Sequence, residues 1–399
     1  MIAHPQHADA AGKVELAQVL ARHGAAYRAT HRVATVQYRA LRAIEACRTA
    51  ALGGRLERCE ACGGLRYAYH SCRNRHCPKC QTLAKERWLA ARRAELLPVP
   101  YFHVVFTLPH ELNPLAQGNP RVILRLLFDA AAATLIEFGE NPRWLGGRIG
   151  VTMVLHTWGQ TLTQHLHVHC LVSGGALAAD GHWIHPRGGF LFPVKALSQV
   201  YRGKFLAALK RAFDTGELAL AGSTTGLAHA RNRAALFADL YAQPWVVYAK
   251  RPCAGPSQVL QYLGRYTHRI ALTNNRLVSL DDRTVRFRYQ DYAHGNRRKV
   301  MSLDPQEFIR RYLLHVLPKG FMRIRHYGLN ANRNKRHKLP QARAALNAPR
   351  SEPLSTAPET IEAFWLRIAH RDIHQCPHCH SGPMRRIGVL LPRAHGPPP

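Results

Sequence analysis

The segment Gln164-His165-Leu166-His167-Val168-His169-Cys170-Leu171-Val172 carries three histidines, each separated from the next by one apolar residue. On a strand of period two, His165, His167 and His169 share one face, while Leu166, Val168, Cys170 and Val172 share the other. One side is core and the other is a row of imidazoles, each of whose ring nitrogens needs a partner or solvent. Such a row points to a metal or catalytic role. Neutral imidazoles two residues apart can hold one divalent ion from the same side and leave coordination positions open to a phosphate oxygen. A second constellation is Gln261-Tyr262-Leu263-Gly264-Arg265-Tyr266-Thr267-His268-Arg269. Helical spacing places Tyr262 and Tyr266 on one face and Arg265 with Arg269 on a neighbouring one. A phenol is a poor nucleophile at neutral pH, but nearby cations favour its phenolate. Tyrosine as nucleophile, a histidine-held cation as Lewis acid and arginines on phosphates together specify attack on a phosphodiester.

The ten cysteines include two CxxC knuckles, Cys59–Cys62 and Cys77–Cys80. Two residues between thiolates let both sulfurs face one ion, and four such ligands make a closed tetrahedral Zn²⁺ site. Cys72, His70 and His76 lie inside the interval, so Cys72 can replace one of the four, or a second ion can share the cluster, with Cys72 and His76 as candidate additional ligands. Arg58, Arg66, Arg73, Arg75, Lys79, Lys85 and Arg87 surround it, as expected of a ribbon that reads DNA. A further pair, Cys376 and Cys379, is half a site, completed by His374, His378 or His380 or left without an ion.

The elements that position these residues are legible in outline. Two helices are predicted within 13–52 and another at about 82–96, stopped near Pro98 and Pro100. YFHVVFTL (101–108) reads as a buried strand and 119–138 as a helix. IGVTMVLHT (149–157) and HLHVHCLV (165–172) form an antiparallel pair joined by WGQTLTQ. Helical material at 195–216 precedes a weak segment near 217–230, expected as an exposed insertion. A helix at 231–242, a strand at 245–250 and the tyrosine helix from Ser257 to Ile270 follow. Strands at 276–280 and 283–290 turn at Asp281–Asp282, and a helix at 305–316 ends at Pro318. A Pro-containing linker, 340–358, leads to a short helix around Trp365.

With 399 residues and 46% apolar content, the chain can bury a core of two or three units. Its formal net charge of +32 calls for a polyanion, and nucleic acid is the obvious one. Residues 101–200 are nearly neutral, with 6 basic against 5 acidic side chains, and lie between strongly cationic flanks. A chemical centre flanked by regions that hold a phosphate backbone has this distribution. Arg323, Arg325, Arg333, Lys335, Arg336 and Lys338 fall in a stretch without acidic residues and are candidate phosphate contacts. No run of eighteen apolar residues occurs, so no membrane partner is expected. The opening MIAHPQHADA lacks a signal-peptide core, and the CxxC pairs suit a reducing compartment, so a cytoplasmic, nucleoid-associated protein is expected.

CPKCQ after a CxxC, the His-hydrophobic-His element in HLHVHCLV, YLGRYTHR, and HVLPKGFMRIRHYG (315–328) together resemble the rolling-circle insertion-sequence transposases. These form part of the two-tyrosine branch of the HUH nuclease superfamily. The resemblance spans about residues 50–335. It implies that His167 and His169 are the HUH pair, with His165 the additional upstream histidine, and that Tyr262 and Tyr266 are the nucleophiles. It further implies an α+β fold with a central antiparallel sheet, helices on one face, the HUH strand central and the tyrosine helix beside it. The implied reaction nicks one DNA strand, leaving a 5′-phosphotyrosyl link and a free 3′-OH. Relatives use Mg²⁺ or Mn²⁺ there, separate from the zinc cluster. For the third ligand of that ion, His103, His165 and Gln261 stand as candidates.

The expected organisation is a helical, zinc-binding DNA-recognition domain (1–97), a catalytic domain with a basic end (98–338), and a linker with a small cysteine-pair element (339–399). The expected partner is DNA, as single-stranded element ends with nearby duplex or hairpin. A plasmid replication initiator or mobilisation relaxase would use the same chemistry. A non-enzymatic zinc-dependent DNA-binding regulator would leave the histidine row and the tyrosine helix without a role. The oligomeric state is not legible.

Overall fold

The computed structural model describes residues 13–188, 191–253, 258–259, 264, 270–292, 294–349, 359–370 and 372–393. Two amino-terminal helices, α1 (Leu16–Thr30) and α2 (Thr35–Glu45), bury Leu16, Val19, Leu20, Leu41 and Ile44. They are followed by β1 (Gly54–Cys59), β2 (Leu65–Tyr69) and α3 (Gln81–Arg93). Next come β3 (Tyr101–Thr107), the short α4 (Asn113–Gly118), the long α5 (Pro120–Glu140), β4 (Gly150–Trp158) and β5 (Gln164–Ser173). A small hairpin of β6 (Ala176–Leu177) and β7 (Trp183–Ile184) leads to α6 (Val194–Asp214), α7 (Ala230–Ala242) and β8 (Val247–Cys253). Then β9 (Leu277–Leu280), β10 (Val285–Asp291) and β11 (Arg297–Leu303) form a three-stranded meander. A helix Pro305–Leu313, β12 (Ile324–Gly328), helices Lys335–Ala345 and Ile361–Ala369, and β13 (Met384–Leu390) complete the chain.

The expected α+β architecture is present. The central sheet is antiparallel with strand order β12-β4-β5-β3-β8, so the histidine strand β5 is its middle member. Register sets its two faces. His167 pairs with His156 on β4 and with Thr107 on β3, and His169 pairs with Val154 and Val105. Alternate residues Leu166, Val168, Cys170 and Val172 point the other way, joining Val104, Phe106, Met153 and Leu155. Helices α5 and α6 cover that back face with Leu127, Phe128, Ala131, Tyr201 and Phe205. Alanines along α5 let its backbone approach the sheet closely. Truncating a fully buried residue such as Leu127 to Ala should cost about 2–5 kcal/mol. The front face keeps its imidazoles free of this packing, which is why a polar row persists in an otherwise apolar sheet.

Several elements differ from the sequence expectation for local reasons. The 217–230 segment is largely exposed, as expected, but it is anchored to the body of the protein. Leu218 and Thr224 are buried, and the Asn119 side chain bonds both the N–H and the carbonyl of Ala219. Strand β11 was missed because its Arg/Lys-rich, largely exposed sequence lacks alternation, yet it pairs with β10 from Arg297 to Leu303. The 340–358 linker begins inside a helix that tolerates Pro340 and is pinned by Arg343, which donates to the carbonyls of Ala94 and Leu96. The tail does not stand apart. Strand β13 pairs along β1, which also pairs with β2, so the first and last parts of the chain share one sheet. Among the described residues no helix is long and apolar enough to cross a membrane.

Candidate functional site

Three imidazoles converge on the front face of the sheet. His167 Nε2 lies 3.2 Å from His169 Nε2, which lies 3.1 Å from His156 Nδ1. At a metal–nitrogen distance of about 2.1 Å, nitrogens this far apart subtend about 95–100°. That angle suits three adjacent corners of an octahedron and leaves the opposite three open. The ring orientations are fixed from behind. His167 Nδ1 is 2.9 Å from the carbonyl of His165, so it carries the hydrogen and leaves Nε2 as the lone pair. His103 Nε2 lies 2.9 Å from His169 Nδ1, placed to accept that nitrogen's hydrogen when His169 offers Nε2 to an ion. Trp158 stacks on His156 with ring centroids 4.5 Å apart. Nitrogen donors with open positions fit a divalent cation that also takes phosphate oxygens.

Of the sequence candidates for a third ligand, neither His103 nor His165 sits in this cluster. His103 stands behind His169, buried, and burial together with Lys250 pushes its pKa down to about 4. His165 lies alongside His167 at the end of the row, with ring centroids 4.8 Å apart, and turns its other side toward His110. Gln261 lies outside the described residues. The third imidazole is His156, which the sequence reading passed over. The signal was present in the hairpin: with the connection centred near residues 161–162, His156 falls opposite His167. His315 secures that connection. Its Nε2–H donates to the carbonyl of Leu162 at 3.1 Å, and its Nδ1 accepts from Thr157 Oγ at 3.2 Å.

The cysteines form two clusters, and this corrects the single site expected from Cys59, Cys62, Cys77 and Cys80. Cys77 and Cys80 join Cys47 and Cys72; Cys59 and Cys62 join Cys376 and Cys379. Sulfur separations are 3.5 Å for Cys47–Cys80, 3.7 Å for Cys72–Cys80, 3.6 Å for Cys59–Cys379 and 3.8 Å for Cys62–Cys376. Four sulfurs about 2.3 Å from one Zn²⁺ stand about 3.8 Å apart, so both clusters fit that ion. Backbone N–H groups of Ser381 and Gly382 pull the Cys379 thiol below its usual range, as a metal-binding thiolate needs. The pairs separate because β1 and β2 carry the Cys59 knuckle to the edge strand β13, whereas residues 72–80 fold back on the helical unit at Cys47. His76 is no ligand in either cluster. Its Nδ1–H donates to Asn74 Oδ1 and its Nε2 accepts from the Leu317 N–H, and burial holds its pKa near 3.

Tyr262, Tyr266, Arg265 and Arg269 lie outside the described residues. Their neighbours Gln258, Val259 and Gly264 are helical. Val259 is buried in the apolar cluster of Tyr101 and Leu171, both on the histidine face of the sheet. At Gly264 an added Cβ would meet Leu89 Cδ1 at 3.0 Å and Lys85 Cε at 3.1 Å, so glycine permits close approach to α3. The predicted phosphate contacts divide. Arg333 and Arg336 are exposed, and Lys335 and Lys338 are half-buried, with Lys335 paired to Glu95 at 2.8 Å. Arg325 lies over the rings of Phe128 and Phe321, 4.3 and 5.2 Å from their centroids. Arg323 is drawn inward; burial and then Arg75 lower its pKa to about 10.

Two family profiles match: "Transposase zinc-binding domain" over residues 19–108 and "Putative transposase" over residues 150–338. The chain is 49% identical over 379 residues to "Putative transposase y4qJ" of Sinorhizobium fredii, covering 94% of this chain and 95% of that protein. It is 29% identical to the transposase for insertion sequence element IS801 of Pseudomonas savastanoi pv. phaseolicola, covering 75% of this chain and 72% of that one. Among solved structures, the metal-bound conjugative relaxase TrwC in complex with oriT DNA aligns with 27% of this chain and 42% of its own. Its identity is 17% and the TM-score 0.24.

Proposed function

This chain belongs to the rolling-circle insertion-sequence transposases of the HUH type with an amino-terminal zinc-binding domain, and from that premise we propose how its residues divide the work. It is a DNA transposase that nicks and rejoins strands at element ends. The observation that carries the site assignment is the convergence of His156, His167 and His169 on one sheet face, the face on which Val259 of the tyrosine segment packs.

Tyr262 or Tyr266 attacks the scissile phosphorus through its phenolic oxygen. The O–P bond forms as the bond to the 3′-oxygen breaks, the phenol gives up its proton and the departing oxygen gains one. The 5′ end is then held as a phosphotyrosine and the 3′-OH is free. A divalent cation, Mg²⁺ or Mn²⁺, bound at the three imidazoles would draw charge from the non-bridging oxygens. His167 and His169 keep their Nε2 lone pairs aimed at that point through the Nδ1 contacts already described. Because the phosphodiester energy stays in the tyrosyl link, no nucleotide cofactor is required. The two cysteine clusters hold Zn²⁺ structurally and support recognition of duplex or hairpin features near the ends, and the +32 charge keeps the protein on cellular DNA. A plasmid initiator or relaxase would share the chemistry, but the near full-length likeness is to a transposase, and the IS801 transposase matches over three quarters of the chain.

The test is incubation with single-stranded oligonucleotides spanning the element's ends in Mn²⁺. A covalent adduct should map to the peptide holding Tyr262 or Tyr266 and vanish in His167→Ala/His169→Ala, with most DNA binding spared. Wild-type nicking rates in that double variant would refute the site.

A further inference from the structure

A cleft of about 1020 Å³ runs beside β12, the free edge of the central sheet, and the histidine site does not account for it. One wall is α3 of the amino-terminal unit, with Trp88 and Arg92; the other is α5, with Arg121 and Arg125. Arg325 and His326 come from β12 itself. Among the described residues the lining holds seven Arg or Lys side chains and two acidic ones, Asp129 and Glu217. Arg75 and Arg323 lie together in it, like charges made to share a partly buried wall. Arg92 bonds His326 and Glu95 through its two terminal nitrogens, yet its buried Nε has no partner. Arg125 pairs with Glu217, Arg325 with Asp129, and Arg92 and Lys335 share Glu95, so three carboxylates face seven cations, and the excess positive charge favours a polyanion nearby.

We propose that this cleft holds a single-stranded stretch of the DNA that flanks the scissile phosphate; the proposal rests on the transposase reading. Three observations favour a single strand over a duplex. The site is concave, whereas duplex sequence is read by elements that protrude into a groove. Its cations are interleaved with apolar and aromatic surface, including Trp88 and Met322, the latter 67% exposed. Unpaired bases can stack on such surface while arginines follow the backbone. The cleft also joins the histidine face. His326 pairs across from Thr152 on β4, four residues from His156, which is about 13 Å at ~3.3 Å per residue. One strand can therefore run from the cut along the sheet and into the cleft, where the zinc-binding unit and the catalytic unit each supply a wall.

The experiment measures log K against log[salt] for a single-stranded end oligonucleotide and for the same sequence as a blunt duplex. The wild type is compared with Arg121→Ala/Arg125→Ala/Lys335→Ala. These side chains are exposed or half-buried and their ion pairs are peripheral, so the fold should survive. Each lost phosphate contact flattens the single-strand slope by about 0.7, so a change of about two is expected, with the duplex slope little altered. Arg121→Lys/Arg125→Lys keeps the charge and should keep the slope, which separates lost contacts from misfolding. An unchanged single-strand slope, or a larger change on the duplex, overturns the proposal. Adduct formation by wild type on the same oligonucleotide is read in parallel. Its absence would refute the transposase reading itself, while an adduct with an unchanged slope in the triple variant refutes only the cleft.

Discussion

His103 was a candidate ligand by sequence, and the structure makes it a positioning residue with a measurable consequence. His169 can offer Nε2 to a cation only if its hydrogen sits on Nδ1, and that hydrogen points at His103 Nε2, 2.9 Å away. Replacing His103 with Leu removes the acceptor in a site where His103 is only 5% exposed, so water does not readily take its place. His169 is then free to turn or to adopt the wrong tautomer. Loss of such an outer partner typically weakens metal affinity 10–100-fold, about 1.4–2.7 kcal/mol. The assay is adduct formation on a single-stranded end, titrated with Mn²⁺. His103→Leu should shift half-saturation to 10–100-fold higher Mn²⁺, with the saturated rate largely restored. His103→Gln, which keeps an acceptor oxygen, should lie between it and wild type. If His103→Leu leaves half-saturation unchanged, the orienting role is refuted. If no Mn²⁺ concentration restores the rate, His103 acts on more than metal affinity.

Native mass spectrometry should find two zinc ions per chain. Cys376→Ser/Cys379→Ser should remove one, and Cys47→Ser the other; a variant of either type losing both would mean the clusters are not independent. Tyr262→Phe and Tyr266→Phe singly should leave some oligonucleotide cleavage but cripple cellular transposition, and the double variant should form no adduct. A persisting adduct would move the nucleophile elsewhere. Burial pushes His315 down to about 4, below its ordinary value of about 6.5. The unfolded chain takes up that proton first, so stability falls as pH drops from 6.5 toward 4, by about 3 kcal/mol from this group. His315→Gln should lower stability at pH 7.5 yet flatten this acid loss in urea midpoints; parallel pH profiles would refute the buried neutral imidazole.

The sequence by itself determined what depends on local pattern. Aromatic and β-branched density marked β3, and period-two alternation in β5 put His165, His167 and His169 on one face, because a pleated strand has no other way to segregate them. The Asp281–Asp282 turn and the two-residue CxxC spacing are likewise short-range, set by backbone geometry within a few residues, whereas the helix expected to run from 305 to Pro318 ends at Leu313. Charge distribution alone separated a neutral catalytic centre from cationic flanks. Tertiary structure decided everything that depends on which distant segments meet. His156 becomes a partner of His167 only through strand register, and His103 becomes its neighbour's prop rather than a ligand because β3 lies on the far side of β5 from β4. Cys59 and Cys62 find Cys376 and Cys379 more than three hundred residues away because β13 pairs with β1. A CxxC pair records that two sulfurs can share an ion, but nothing in its spacing says which second pair completes the tetrahedron. That choice belongs to the sheet that brings the two ends of the chain together.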